Sequence, residues 1–309
     1  MGADAQREVG RAPGYSFLPP SNFLGLAPED SAYETSRALI LPIPYDATTS
    51  YKGGAKDGPR AILEASAQIE LYDVELDAEP ALEWGVHTLP ALAPDLRSAE
   101  ATIESIAAAV IDLPCREKLL CVLGGEHSIS VGVARGLYSH FGEFVTVQLD
   151  AHADLRDEYH ETPYSHACAA RRILDLGGEV IQFGIRSLDR TEADFLKENP
   201  AKVTAHLASV MHRDRSYLTA LIEKIKGKQV FLTIDLDAFD PSVIPATGTP
   251  EPGGLLWYDV LEIVQTVARE STVIAFDVVE LAPIPGLHAP DFTAAKLVYK
   301  VLTAVLGKE

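Results

Sequence analysis

The stretch FVTVQLDAHADLRD, residues 144–157, runs from a largely apolar segment into Asp150, His152 and Asp154 at every second position. Successive side chains of an extended strand point to opposite faces. A strand that persists to residue 154 would therefore set these three on one side and Ala151 and Ala153 on the other. Three metal-ligating residue types would then share one face. Strands that are apolar almost throughout belong to parallel sheets covered on both sides. Comparable runs recur at 37–45 (RALILPIPY), 118–126 (KLLCVLGGE), 180–187 (VIQFGIRS), 229–237 (QVFLTIDLD) and 272–281 (TVIAFDVVEL). Segments with helical spacing separate them, among them 59–72 after Gly58, 98–113 opening on Ser98, and 258–270. The alternation predicts an α/β domain with helices on both faces of a parallel sheet.

No repeat, low-complexity tract or Gly/Ser linker divides the 309 residues, so the expected organisation is a Pro- and Gly-rich irregular arm over 1–33 and one domain over 34–309. The net charge of -19 argues against nucleic-acid backbones and anionic membranes, and it raises the local concentration of cationic ligands. No stretch approaches the ~20 apolar residues of a membrane span and the first residues lack a secretory apolar core, so the expected location is the cytoplasm. Met1-Gly2 does not complete a myristoylation motif, because Gln6 stands where Ser or Thr is needed. Cys115, Cys121 and Cys168 are too few and too irregularly spaced for a disulfide framework, and they read as small buried hydrophobes.

In an open parallel sheet, ligands bind beyond the carboxyl ends of the strands. Polar clusters stand at that place: Glu126-His127, Asp150 to Asp154, Asp235 to Asp240, and Glu280. Asp235 and Asp237, two apart, should again share a face. Gly124 and Gly125 would let backbone come close to the site. Asp240, before Pro241 and Ser242, reads as a helix N-cap. Two His and four Asp exceed what one divalent ion uses, whereas two ions sharing carboxylates need such a set. Carboxylates with a minority of imidazoles suit Mn²⁺, with Fe²⁺, Co²⁺, Ni²⁺ and Zn²⁺ fitting the same donors, while Ca²⁺ prefers oxygen alone. Such a pair of ions lowers the pKa of water toward neutrality, giving hydrolysis without a Ser or Cys nucleophile.

GGEHS, DAHAD, SHACAARR, IQFGIRS, DLDAFDPS, TGTPEPGGL and DVVELAP, in that order, together with YKGGAKDGPRAI near the start, resemble the signatures of the ureohydrolase family, arginases and agmatinases, over roughly residues 37–305. The resemblance is strongest to agmatinases. It implies a three-layer αβα fold with a mainly parallel eight-stranded sheet, two Mn²⁺ per chain, and cleavage of a guanidino group to urea and an amine. It further implies one ion on His127, Asp150, Asp154 and Asp235, and a second on Asp150, His152, Asp235 and Asp237. In the same reading Asp237 also orients the nucleophile, His166 shuttles a proton or contacts the substrate, and Glu280 anchors the guanidinium. A trimer or hexamer is the implied assembly.

For the substrate, the loop LRDEYHETPYS (155–165) carries Asp157, Glu158 and Glu161 against Arg156, an excess of acid that favours agmatine, cleaved to putrescine and urea, over a carboxylate-bearing substrate. Arg156, Arg171, Arg172 and Arg186 are the candidate partners if arginine or guanidinobutyrate is used instead; guanidine is a further possibility within the family. Ala167-Cys168 departs from the Gly that many relatives place after the His of this segment, which bears on the pocket floor. The competing class is a single-metal amide deacetylase with a related fold, which needs fewer ligands than the six present; a non-enzymatic binding protein would be expected to have lost some.

Overall fold

The computed structural model describes residues 20–307. Eight strands among them form one sheet: β1 (Ala38–Ile43), β2 (Val86–Thr88), β3 (Leu119–Gly124), β4 (Val145–Leu149), β5 (Glu179–Ile185), β6 (Val203–Leu207), β7 (Gln229–Asp235) and β8 (Thr272–Val279). Their order is β2-β1-β3-β8-β7-β4-β5-β6, and every pairing is parallel. The six long apolar runs are the central strands. Two edge strands were not anticipated, Val86–Thr88 because it is three residues long and Val203–Leu207 because its burial is only partial.

Alternation along the strands divides the core in two. Ile40, Cys121, Leu123, Val147 and Leu232 pack on one face against α1 (Gly58–Ser66), α2 (Pro80–Trp84), α7 (Ala208–Met211), α8 (Tyr217–Ile225), α9 (Trp257–Glu270) and α10 (Ala289–Leu306). Leu39, Leu41, Leu120, Val122 and Phe231 pack on the other against α3 (Ala99–Asp112), α4 (Ile129–Phe141), α5 (Ala169–Leu174) and α6 (Arg190–Glu198). The result is the expected three layers. Local chemistry agrees: the Ser98 hydroxyl accepts the Ala101 N–H at 3.0 Å to start α3, and Pro59 occupies the first turn of α1.

Of the arm read over 1–33, residues 1–19 lie outside the described residues. The remainder is irregular apart from one 3₁₀ turn, Phe23–Gly25, and three of its side chains join the core: Phe23 is fully buried and Leu24 and Leu26 nearly so. Burying Phe23 alone stabilises by roughly 2–3 kcal/mol. The three cysteines are free and buried, as expected of small core hydrophobes. No described helix is long and apolar enough to cross a membrane.

Gly125 accounts for how β3 leads into the site. A Cβ there would lie 1.9 Å from the Tyr45 carbonyl oxygen, while Gly125 N–H donates to Ile43 O (2.9 Å) and Glu126 N–H to Tyr45 O (2.7 Å). The backbone it must approach is thus the segment after β1. Gly125→Ala is expected to lower the melting temperature by roughly 5–10 °C, as overpacking by about 3 kcal/mol would in a chain of this size. Differential scanning calorimetry of purified variant and parent checks this; equal melting temperatures would show that the contact relaxes freely.

Candidate metal centre

The four central strands β3, β8, β7 and β4 are consecutive neighbours, and their carboxyl ends deliver His127, Glu280, Asp235 and Asp150 to one crevice. The approach is not the extended strand anticipated. β4 stops at Leu149, the His152 N–H folds back onto Asp150 Oδ1 (2.6 Å), and Asp154 takes a left-handed backbone, φ +52°. Alternation therefore does not bring the three together; a turn does, and Asp154 reaches the site through a conformation costly for a non-glycine residue. Likewise β7 ends at Asp235, whose Oδ1 accepts the Asp237 N–H (2.8 Å) at the head of a short 3₁₀ turn. Asp240 caps no helix. It ties two loops, accepting from Ser242 N (3.0 Å) and Gly253 N (2.8 Å), which holds the 240–254 segment beside the crevice.

His127 Nδ1 lies 3.1 Å from Asp150 Oδ2, 3.2 Å from Asp154 Oδ2 and 3.3 Å from Asp235 Oδ2. Despite this proximity it is buried without hydrogen-bond geometry to any partner. Its other nitrogen, Nε2, is 2.9 Å from Thr233 Oγ1, a contact that suits an Nε2–H donor and leaves the Nδ1 lone pair facing the same point as the three carboxylates. His127, Asp150 and Asp154 offer one mutually close set of ligand atoms, and Asp150, His152 and Asp237 a second, so Asp150 belongs to both. His152 Nδ1 lies 2.9 Å from Asp237 Oδ2.

The electrostatics are those of a site short of positive charge. Burial, with the charges of the neighbouring aspartates, raises the carboxyls of Asp150, Asp235 and, to about 7, Asp154. Burial alone would lower His152, yet Asp237 and Asp150 push it up to about 11; Asp237, despite its burial, is held at about 2 by His152. Without cations the cluster balances itself by holding protons. Two divalent ions would replace those protons, and the donor set of carboxylate oxygens and two imidazoles fits them.

Above the cluster, a narrow cleft of ≈ 20 Å³, lined among others by His127, Asp237, His166 and Glu280, adjoins an outer chamber of ≈ 270 Å³. Ser50, His152, Asp154, His166 and Thr249 line both. His166 begins a short 3₁₀ turn and is lowered to about 4, chiefly by burial. Glu280 is nearly buried, has φ +68°, accepts the His127 N–H on Oε1 (2.9 Å), and is raised well above the usual carboxyl range by burial and by Glu126.

The acids of the 155–165 loop do not face the substrate space. Asp157, Glu158 and Glu161 are exposed, and Asp157 is paired with Arg172 at 2.7 Å. Besides Asp154, the chamber's acids are Asp189 and Glu192, which hold Arg156 at 3.0 and 3.8 Å, two carboxylates to one guanidinium. The other arginines are also engaged: Arg171 lies over Phe195, and Arg186 donates to the carbonyls of Asp237 and Glu251. Ala167 lines the chamber, while Cys168 is turned into the core. Thr48, Ser50 and Lys52 near the site were not singled out from sequence; the signal was available, since DATTSYK follows β1 at the same carboxyl edge.

The arginase family profile matches residues 36–304. The chain is 39% identical over 282 residues to the N(1)-aminopropylagmatine ureohydrolase of Synechocystis sp., covering 88% of this chain and 90% of that one, and 34% identical over 270 residues to the agmatinase of Pyrococcus horikoshii, covering 85% and 90%. Among solved structures, the agmatine ureohydrolase of Thermoplasma volcanium superposes with a TM-score of 0.82 at 29% identity, over 94% of this chain and 96% of that one.

Proposed function

The chain belongs to the arginase family, and from that premise we propose that it hydrolyses a guanidino compound with an amine-bearing tail, agmatine or its N(1)-aminopropyl derivative, to urea and the corresponding amine. The observation that carries the choice of tail is the outer chamber. Tyr159, Ala167 and Leu188 give it apolar surface for methylenes, and its carboxylates, Asp154, Asp189 and Glu192, outnumber its one guanidinium, Arg156. All four arginines near it are already engaged, which speaks against recognition of a carboxylate. Lys52, which lines the cleft, favours a guanidino acid instead.

His127, Asp150, Asp154 and Asp235 would hold one ion and Asp150, His152, Asp235 and Asp237 the other, Mn²⁺ being our reading of the donor set. Bound there, the ions would supply Lewis-acid activation of water and stabilise developing negative charge. Glu280, at the cleft, presents a carboxylate to the planar cation, which matches a forked pair of N–H donors. Asp237 accepts the Ala151 N–H on Oδ1 (3.0 Å) and keeps its charge, so it can orient the attacking water. His166 delivers the proton without which the amine cannot leave. Residues 34–309 act as one ureohydrolase unit in this reading, in a cytoplasmic trimer or hexamer that contributes to polyamine synthesis.

Urea release from the Mn²⁺-loaded protein, with N(1)-aminopropylagmatine, agmatine, arginine and 4-guanidinobutyrate side by side, tests the reading. Three added methylenes, worth up to ~0.8 kcal/mol each when buried in the chamber, should raise kcat/KM about ten- to fiftyfold over agmatine. Turnover of agmatine alone would keep the reaction and close the chamber to substrate. Preference for arginine or guanidinobutyrate would overturn the amine-tail reading and point to Lys52.

A further inference from the structure

We infer that Thr48, backed by Glu126, is a positioning residue that fixes the ring tautomer of His166, with Nδ1 carrying the resident proton and Nε2 presenting its lone pair to the cleft. The inference deepens the hydrolytic reading above and rests on it for its kinetic arm.

The chain of contacts is short. The Thr48 hydroxyl donates to Glu126 Oε1 at 2.7 Å, and the Thr48 N–H donates to the same oxygen at 3.2 Å. Glu126 Oε2 accepts the Ser128 N–H at 2.8 Å, so both oxygens of this fully buried carboxylate face donors. A hydroxyl has one proton, and that of Thr48 is committed to Glu126. Toward His166 the same oxygen can only accept. It accepts the His166 backbone N–H at 3.0 Å, which pins the residue, and it lies 3.4 Å from His166 Nδ1. Ser165 Oγ, 3.3 Å from Nδ1, can donate or accept, so Thr48 decides between the tautomers. On the opposite side of the ring, Nε2 lies 3.4 Å from Ser50 Oγ, and Ser50 lines both the cleft and the chamber.

The consequence for the reaction is a defined proton path. Nε2 takes the proton of the attacking water as the bond to the guanidino carbon forms, and passes it to the departing nitrogen as the C–N bond breaks. Nδ1 keeps its own proton throughout. During the interval in which the ring is an imidazolium, Nδ1–H faces Thr48 and, through it, the Glu126 carboxylate. The opposite tautomer would offer the cleft an N–H that can give a proton but has no lone pair to receive one.

Two measurements test this. In Zn²⁺-loaded, ¹⁵N-histidine-labelled protein, with the His166 resonances identified by their loss in His166→Asn, Nδ1 should be the protonated nitrogen, and Thr48→Val should shift the ring toward Nε2–H. In urea release, Thr48→Val should lower kcat about 10- to 100-fold with KM little changed, the range expected for groups that orient a catalytic imidazole; Thr48→Ser should restore most of it, and Thr48→Val should cost nothing further on a His166→Asn background. An Nε2–H ring in the parent, or the same loss from Thr48→Val on both backgrounds, overturns the inference. If the parent releases no urea from any guanidino compound, the functional reading has failed, and the ¹⁵N measurement still decides the tautomer. That measurement on the parent also stands if Thr48→Val does not fold.

Discussion

Asp150→Asn is expected to reduce bound metal from two ions per chain to one or fewer and to cut urea release by at least ~10³-fold. Asp150 belongs to both candidate ligand sets, with Oδ2 3.1 Å from His127 Nδ1 and Oδ1 3.7 Å from His152 Nδ1. Asn keeps the shape and loses the charge, and one of its two terminal atoms becomes an N–H₂ that cannot ligate. Lewis-acid catalysis contributes several kcal/mol, and each 1.36 kcal/mol is a factor of ten, so a threefold-decade loss is the modest end of the expectation. Metal analysis by mass spectrometry reads the stoichiometry directly. Stability provides an independent reading. The buried aspartates repel one another in the metal-free protein, and ions that bind only the folded chain stabilise it by mass action. Chelation should therefore lower the melting temperature of the parent more than that of Asp150→Asn. Retention of two ions with full activity by the variant would end the shared-ligand reading.

How much of this could be read from the chain depended on the range of the interaction that decides each feature. Central strands such as Leu119–Gly124 and Gln229–Asp235 carry their own evidence, because burial on both faces forces every side chain to be apolar or paired. Edge strands such as Val86–Thr88 do not, since three residues half exposed look like any loop. The candidate ligands are legible because isolated acids at the ends of apolar strands have no inexpensive alternative. Their geometry was not: nothing local announces that Asp154 adopts φ +52° or that Asp240 binds the N–H groups of Gly253 and Gly254 thirteen and fourteen residues on. The acid excess of the 155–165 loop carries no direction in the sequence; in the fold Asp157 is exposed and pairs with Arg172, fifteen residues on, at 2.7 Å. Thr48 was invisible for the same reason, its partners Glu126 and His166 lying 78 and 118 residues away.

Glu280→Gln should lower kcat/KM about 10²- to 10³-fold while leaving the metal-free protein as stable as the parent, or more so, at neutral pH. The activity loss follows from hydrogen-bond direction. Glu280 Oε1 already accepts the His127 N–H, and Gln can keep that bond with its amide oxygen. Its N–H₂ then faces the cleft, where the guanidinium also offers only donors, and losing one partner of a buried charge pair costs about 2–5 kcal/mol. The stability follows from the sign of the shift. Burial, with the charge of Glu126, raises the Glu280 carboxyl far above its ordinary 4.5, so its contribution is favourable in acid, where the group is protonated in both states, and is lost as pH rises toward the folded value. At neutral pH the carboxylate is a liability that the neutral amide removes. Melting curves of chelated parent and variant should therefore separate near pH 7 and converge as pH falls toward about 4.5. A variant that is inactive because it is less stable at neutral pH would show Glu280 to be a structural residue; inactivity with undiminished stability marks a carboxylate kept in place for the substrate's charge.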